Sequence, residues 1–405
     1  MDLEADPGKA RGRAEAALAP TKRQVARTRA VVDWYLNTHY GRPGDPGTAA
    51  MFCDPSRLGT FAVQREPLLA GEGAALFQLL IALAMFQRRQ DVQIAAILRS
   101  LGPDQAAELT DQRRLLALVD ASACDKIKSV DSLIYSCDLA KNPDTKQGTC
   151  LSRPDLACHL KRHTVWMKRY GHFGKVPTSA ALVVREAAAR DLADLLRQAR
   201  ASARGRLARA KAAEAALCRS WRVSDKIAAM FLSLISNPDL TPGISGWEDV
   251  DWRYYVVVDS NVDLFLTAIG YRGTKTYAAR RAFIQALSAQ INLQAMNRRL
   301  RRDNPRLVQQ AMFLFMSAAN RRALPHDCMH LRPASCAQCP KDVVALCPVR
   351  SAPLRRRLPL VGAAPQPPAN DAASTPAAPS KPLQTGPNAG AMRLQRRLRG
   401  AVGTP

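Results

Sequence analysis

Acidic residues are scarce in this 405-residue chain: 34 Asp and Glu stand against 59 Lys and Arg, a formal charge of +25. The imbalance disfavours cationic partners and points to a polyanion, nucleic acid before a ribosome or a membrane surface. Solubility alone is the blander account, but carboxylates serve it better than guanidinium groups. Long apolar runs are also missing. The most apolar stretch, residues 74–86, is too short to span a bilayer and contains Gln78, so a buried core helix is expected there. The first 20 residues are polar, carry Asp2, Glu4, Asp6 and Glu15, and hold no apolar segment of the kind a secretory signal needs. A cytoplasmic chain with reduced thiols and no membrane partner is therefore expected. Alternating, strand-type patterns are nearly absent and no internal repeat is evident, which leaves an all-α fold.

Cysteine, by contrast, is plentiful and grouped. Four of the ten, Cys328, Cys336, Cys339 and Cys347, follow the spacing C-x7-C-x2-C-x7-C. Four thiols in so short a loop can close around one tetrahedral zinc or an iron–sulfur cube, and Pro340 and Pro348 stiffen the backbone after two of them. A disulfide pair is the alternative without metal. A second group, Cys124, Cys137, Cys150 and Cys158, is spread over residues 121–178 among Lys, Arg and His. Its wide gaps are a weaker signal. Partly buried thiols in a basic loop account for them, as would a zinc site using some of Cys137, Cys150, Cys158 and His163.

Helical spacing marks most of the remainder. It begins near Gln24, with Val31, Val32, Trp34 and Tyr35 in the pattern, and the Gly/Pro cluster at 41–47 ends it. Residues 74–101 read as two helices separated by the polar break Gln87-Arg88-Arg89-Gln90, and 108–119 as a third. Residues 180–218 are rich in Ala, Arg and Leu with Gly205 as their one glycine, which predicts one or two long cationic helices. Ser224 is placed to cap a helix over 224–235, with Asp225 in its first turn. Residues 254–258 are extended or tightly packed and deliver the chain to Asp259, after which a helix runs to Gly270. Two further helices, 276–291 and 305–322, lead to the cysteine loop.

Three features thus fall in one order: Lys226 at a helix start, Asp259 about thirty residues later at another, and a C-terminal four-cysteine loop. At this point the chain resembles the helix-hairpin-helix DNA glycosylases, in the endonuclease III and adenine-mismatch glycosylase branch that carries an iron–sulfur loop. The matching stretches are Val223-Ser224-Asp225-Lys226-Ile227-Ala228, Val257-Val258-Asp259-Ser260-Asn261-Val262 and Cys336-Ala337-Gln338-Cys339-Pro340. Upstream, Phe77-Gln78-Leu79-Leu80-Ile81-Ala82 and Asp91-Val92 are similar to the family's first core helix and the turn after it. The likeness covers roughly 70–120 and 219–348, with 24–60 as an extension, and leaves 121–218 without a counterpart.

The resemblance implies a monomeric base-excision enzyme on double-stranded DNA, associated with the nucleoid, with a 4Fe–4S cluster on Cys328, Cys336, Cys339 and Cys347; zinc is the alternative metal. It makes Asp259 the carboxylate that assists loss of the base, a task suited to a negative charge because the sugar passes through an oxocarbenium-like state. The plainer reading is a helix cap, with Ser260-x-x-Asp263 as a capping box. It makes Lys226 the amine that attacks C1′ in members with lyase activity, where a helix N-terminus favours the neutral form. The plainer reading is a phosphate contact. Gln87 and Arg88 stand where the family fills the gap left by a flipped base, with Arg89 beside them. The family's hairpin glycines are missing from Trp221-Arg222-Val223-Ser224, so Arg222 and the Ser224 hydroxyl are the substitute phosphate contacts. The outer gaps of the cysteine loop are also longer than the family's.

The expected organisation follows. Residues 1–25 form a basic arm, and 26–64 an N-terminal helix packed on the cluster lobe. Residues 65–275 form a helical core with the hairpin, 121–218 being the family-atypical insertion. Residues 276–348 form the C-terminal helices and cysteine loop, and 349–405 a Pro/Ala/Arg tail disordered by composition. Two rivals keep the metal but not the reaction: a non-catalytic iron–sulfur DNA-binding protein, and a zinc-dependent RNA or ribosome-associated factor.

Overall fold

The computed structural model describes residues 18–41, 49–87, 89, 91–142, 144–145, 148–168, 174–240, 244, 246–317 and 339–348. All described residues belong to one unit, Met1–Pro359. That unit is mostly helical. Its helices are α1 (Lys22–Thr38), α2 (Pro55–Leu58), α3 (Arg65–Leu69), α4 (Gly73–Met85), α5 (Asp91–Arg99), α6 (Pro103–Thr110), α7 (Gln112–Asp120), α8 (His159–Trp166) and α9 (Lys175–Glu186). They continue with α10 (Leu192–Ala201), α11 (Arg206–Cys218), α12 (Asp225–Ser236), α13 (Ser260–Ile269), α14 (Tyr277–Ala289), α15 (Leu293–Met296), α16 (Pro305–Met316) and α17 (Lys341–Leu346). None of the described helices is long and apolar enough to cross a membrane.

Two apolar cores organise these helices. The larger surrounds α4, in which eleven of thirteen residues are buried, as expected for a helix apolar nearly all round. Its polar exception, the half-buried Gln78, donates to the carbonyls of Phe61 and Ala62 at 3.2 and 3.1 Å, so its amide is paired. The smaller core joins α1, α13, α14, α16 and α17 through Tyr35, Phe265, Phe283, Phe315 and Val343. α1 is started by a reciprocal cap: Thr21 Oγ1 accepts from Gln24 N, and Gln24 Oε1 accepts from Thr21 N at 2.8 Å.

The extended segment 255–258 belongs to both cores. Tyr255 and Val257 point into the larger, Val256 and Val258 into the smaller. Successive side chains of an extended backbone face opposite sides, so four residues suffice to stitch the lobes together.

The structure departs from the expected elements at five places. Residues 49–63 do not pack with α1; Phe52, Leu58 and Phe61 join the larger core. α13, expected within the larger core, packs in the smaller one. The pattern at 108–119 is broken at Asp111, whose carboxylate caps α7 by accepting from the amides of Arg113 and Arg114. The cationic stretch forms three helices, because Asp191 caps α10 as a second break before Gly205. The segment 121–178 also contains one antiparallel pair, β1 (Leu139–Lys141) and β2 (Gly148–Cys150), with Leu139 opposite Cys150. The all-α class holds for the rest.

Within α8, His159 and His163 are one helical turn apart and buried. His159 Nε2 lies 3.1 Å from Thr178 Oγ1, and His163 Nε2 lies 2.9 Å from Glu108 Oε1. Burial holds both imidazoles below their usual range, His159 at about 3. The unfolded chain therefore binds more protons than the native one below pH 6.5. Stability should fall as pH drops from 6.5, by at most about 1.4 kcal/mol per pH unit for each ring. Calorimetric melting from pH 7 downward tests this, and His159→Gln should flatten the decline. A melting temperature indifferent to pH over that range would contradict neutral, buried rings.

Candidate functional site

α11 and α12 form a helical hairpin joined by residues 219–224. The turn has no glycine, yet its backbone visits the left-handed region at Arg222, with φ +63°. A side chain there costs roughly 1–2 kcal/mol, so the turn must be held by its surroundings. Trp221 N donates to Ser179 Oγ at 2.9 Å, and the buried Lys175 ammonium sits 5.1 Å from the Trp221 ring centroid. The Gln87 side-chain amide donates to the Arg222 carbonyl at 3.3 Å and to the Ala84 carbonyl at 2.8 Å. Two residues expected at the DNA surface, Gln87 and Arg222, thus meet, but Gln87 acts as a prop for the turn. Arg89 is exposed, and Arg88 lies outside the described residues.

Ser224 occupies the cap position of α12 as expected, with extended backbone, but its hydroxyl makes no capping bond. The first amides of α12 are therefore left without a side-chain acceptor from the cap, next to an exposed serine hydroxyl. Lys226, half-buried, is the second residue of this helix.

Asp259 arrives from the other direction. It ends the extended segment and is itself the N-cap of α13, where its Oδ1 accepts from Asn261 N at 3.0 Å and Val262 N at 2.9 Å. The expected Ser260–Asp263 capping box does not form, since Asp259 occupies the cap and Asp263 pairs with Arg280. Asp259 Oδ2 has no hydrogen bond among the described residues. Burial pushes the Asp259 carboxyl above its ordinary range; the strongest opposing influence is the Lys226 charge, followed by the two capping amides. The two residues singled out from sequence are therefore electrostatic neighbours, contributed by the starts of two different helices.

One residue missed by the sequence reading joins those starts. The Tyr277 hydroxyl donates to the Val256 carbonyl at 2.8 Å, accepts from Val258 N at 3.4 Å, and lies 3.5 Å from the Asp225 carbonyl. Burial keeps this phenol protonated far above its usual range. Beside it, Glu214 accepts from the Tyr254 hydroxyl at 2.7 Å and from Arg281 Nη1 at 3.1 Å, and Arg281 stacks 4.0 Å from the Tyr254 ring centroid. These groups, with Cys218 and Asp225, line an open cavity of about 600 Å³. Burial first, then the charges of Asp225 and Glu214, push the Cys218 thiol up to about 12, so it is no nucleophile at neutral pH. No local spacing announces this cluster, since its members come from four separate elements.

Of the expected cluster ligands, Cys328 and Cys336 lie outside the described residues. Cys339 and Cys347 flank α17 and sit half-buried against the smaller core, to which Val343 and Leu346 fasten the helix. Thiols in that setting suit a soft metal or an iron–sulfur cluster. Among the described residues no three His, Cys, Asp or Glu side chains are placed to hold a metal ion. In the insertion, His163 is engaged by Glu108, and the Cys150 thiol donates to Asp138 at 2.9 Å.

Comparison with protein-family models, curated proteins and solved structures finds no match. The geometry of the site therefore carries the functional argument.

Tyr277→Phe removes the hydroxyl that serves a buried carbonyl and amide, which should cost about 1–3 kcal/mol in urea unfolding. Tyr271→Phe, whose hydroxyl bonds an exposed carbonyl at Thr274, serves as the control and should cost a few tenths. Equal losses in the two variants would remove Tyr277 from its role as a latch.

Proposed function

We propose that the protein is a base-excision DNA glycosylase of the helix-hairpin-helix type. It removes a damaged or mismatched base from double-stranded DNA, and Lys226 adds abasic-site lyase activity. The observation that carries this reading is the approach of Lys226 and Asp259, placed at the starts of α12 and α13 and held there by Tyr277.

In the proposed reaction the bond between C1′ and the base nitrogen breaks, and its electron pair leaves with the base, which takes up a proton. Positive charge develops on the sugar. Asp259 is the group to stabilise it, because its Oδ2 is uncommitted among the described residues and its Oδ1 is fixed by two amides, so little reorganisation is needed. Water at C1′ completes simple hydrolysis. Alternatively the Lys226 amine, having given up a proton, bonds to C1′; ring opening then leaves an imine, from which elimination of the 3′ phosphate follows. Ser224, Arg222, Arg89 and the amides opening α12 are the phosphate contacts of this reading. Cys339 and Cys347, with Cys328 and Cys336, would hold a 4Fe–4S cluster as a brace for the DNA-facing lobe, or zinc in its place.

Borohydride trapping on abasic-site DNA is the direct test. A covalent adduct is expected with the unmodified protein and none with Lys226→Ala. Asp259→Asn should lower base release by about 10²–10³-fold or more while leaving DNA affinity and melting temperature nearly unchanged, since asparagine also caps a helix. Base release should also fall on acidification through a pKa above the ordinary 3.8 of aspartate, because protonation removes the charge that burial already disfavours. No adduct and no base release across a panel of lesions would sink the enzyme and leave a DNA-binding protein. Zinc in place of iron and sulfide, with RNA preferred over DNA, would favour the third reading.

A further inference from the structure

The far end of α12 opens onto a second feature that the proposed chemistry does not use. A cleft of about 940 Å³ lies there, against Ser236, Pro238 and Asp239, Gln294 of α15, and residues 298–301 between α15 and α16. This volume falls within the roughly 300–1,000 Å³ typical of small-ligand pockets. Its walls carry Arg206, Arg298, Arg299 and Arg301 together with Trp247 and Trp252.

These arginines are of two kinds. Arg206 is committed: its Nε and Nη2 donate to the Val250 carbonyl at 3.2 and 3.0 Å. Nearby, Arg200 pairs with Asp249 and covers the Trp247 ring at 4.3 Å, which makes that wall rigid. Arg298, Arg299 and Arg301 are exposed, and none of their guanidinium groups has a hydrogen bond or ion pair among the described residues.

Two acidic residues share the lining, Asp239 and the exposed Glu248, and Asp239 is spent on the backbone of the loop. Asp239 Oδ1 and Oδ2 accept from the backbone amide of Arg301 at 3.3 and 3.2 Å, and Oδ2 also accepts from Asn304 Nδ2 at 2.7 Å. Asn304 pairs in turn with Asn237 at 3.0 Å, and Leu300 is buried. The carboxylate therefore fixes the backbone of the arginine loop, while the guanidinium groups remain available to a ligand. Three cations on a pinned loop, facing a wall that includes the half-buried Trp252, combine phosphate recognition with an aromatic surface for a base.

We infer that this cleft is a nucleic-acid site separate from the hairpin, and that it takes a short run of single-stranded backbone with one base against Trp252. It lies about 15 Å along α12 from Lys226, at 1.5 Å per residue. One DNA molecule can therefore reach both, but binding in the cleft does not depend on the reaction proposed at Lys226 and Asp259.

The test uses the full chain and an eight-residue oligothymidylate, read by tryptophan fluorescence. The oligonucleotide should quench part of the emission, and Trp252→Phe, with an unchanged circular dichroism spectrum, should abolish that part. The combined variant Arg298→Glu, Arg299→Glu, Arg301→Glu should weaken binding at least tenfold. It should also lower the slope of log K against log salt by about 2, as expected for three lost single-strand phosphate contacts. A control with the same change in net charge, Arg23→Glu, Arg113→Glu, Arg114→Glu, should keep the quench. Asp259→Asn should leave it unchanged, so failure of the enzyme reading and failure of the cleft are told apart. Equal weakening in the control variant, or equal quenching by polyglutamate, would overturn the site as a nucleic-acid cleft and leave a general polyanion surface.

Discussion

The alternation of residues 255–258 between two cores is the constraint on which the rest depends. Tyr255 and Val257 are held by one set of helices, Val256 and Val258 by the other, so neither lobe can move without dragging the segment. A one-residue slip would exchange every side chain between the cores. The register is therefore strongly determined, and the residue at the end of the segment is Asp259. Placing a carboxylate by burial of its four predecessors is more exact than placing it on a loop. The Tyr277 hydroxyl takes up a carbonyl and an amide that an isolated extended strand would leave unpaired, and it reaches α12 at the Asp225 carbonyl, 3.5 Å away.

At Asp259 the cap and the proposed chemical role are not rivals. Capping uses one oxygen and two amides, and those bonds fix the carboxylate in orientation while the second oxygen stays uncommitted among the described residues. Burial raises the energy of the ionised form, and Lys226 lowers it again. A charge held where it is poorly solvated, with its partner on another element, is the arrangement expected of a group that will stabilise a transient cation. A cap whose sole task is to start a helix needs neither the burial nor the partner.

Much of this was legible in the sequence because it is local. The apolar turns of α4, the cap at Ser224, the start at Asp259 and the left-handed stop at Gly270 each depend on a few adjacent residues. What could not be read is tertiary. Whether Phe52 and Phe61 pack with α1 or with α4 depends on which apolar surface lies nearer, and no spacing encodes that. Asp111 and Asp191 were read as part of helices although each caps one, since an aspartate inside a helical pattern carries no sign of which side it will serve. Gln87 looked like a probe into DNA, but its amide is used on the Arg222 turn. The left-handed residue at that turn leaves no mark in the sequence, because glycine is the residue that signals the conformation and arginine does not.

The positive surplus can now be apportioned. Several arginines of the cationic helices and their neighbours are engaged by carboxylates of the protein: Arg185 by Asp120, Arg200 by Asp249, Arg280 by Asp263 and Arg281 by Glu214. Such pairs fasten one element to another and leave these guanidinium groups less available to a partner. Composition alone would count them with the rest. Among the described residues, some exposed arginines stay on helix faces, as Arg113 and Arg114 do on α7, and others are set on turns: Arg89 in the break after α4, and Arg298, Arg299 and Arg301 before α16. A helix face rich in arginine offers many weak, interchangeable contacts, whereas a turn fixed by Asp239 and Asn304 offers a few in defined positions. Phosphates recognised in defined positions set the register of a nucleic acid on a protein, and register is what an enzyme needs before it can act on one base among many.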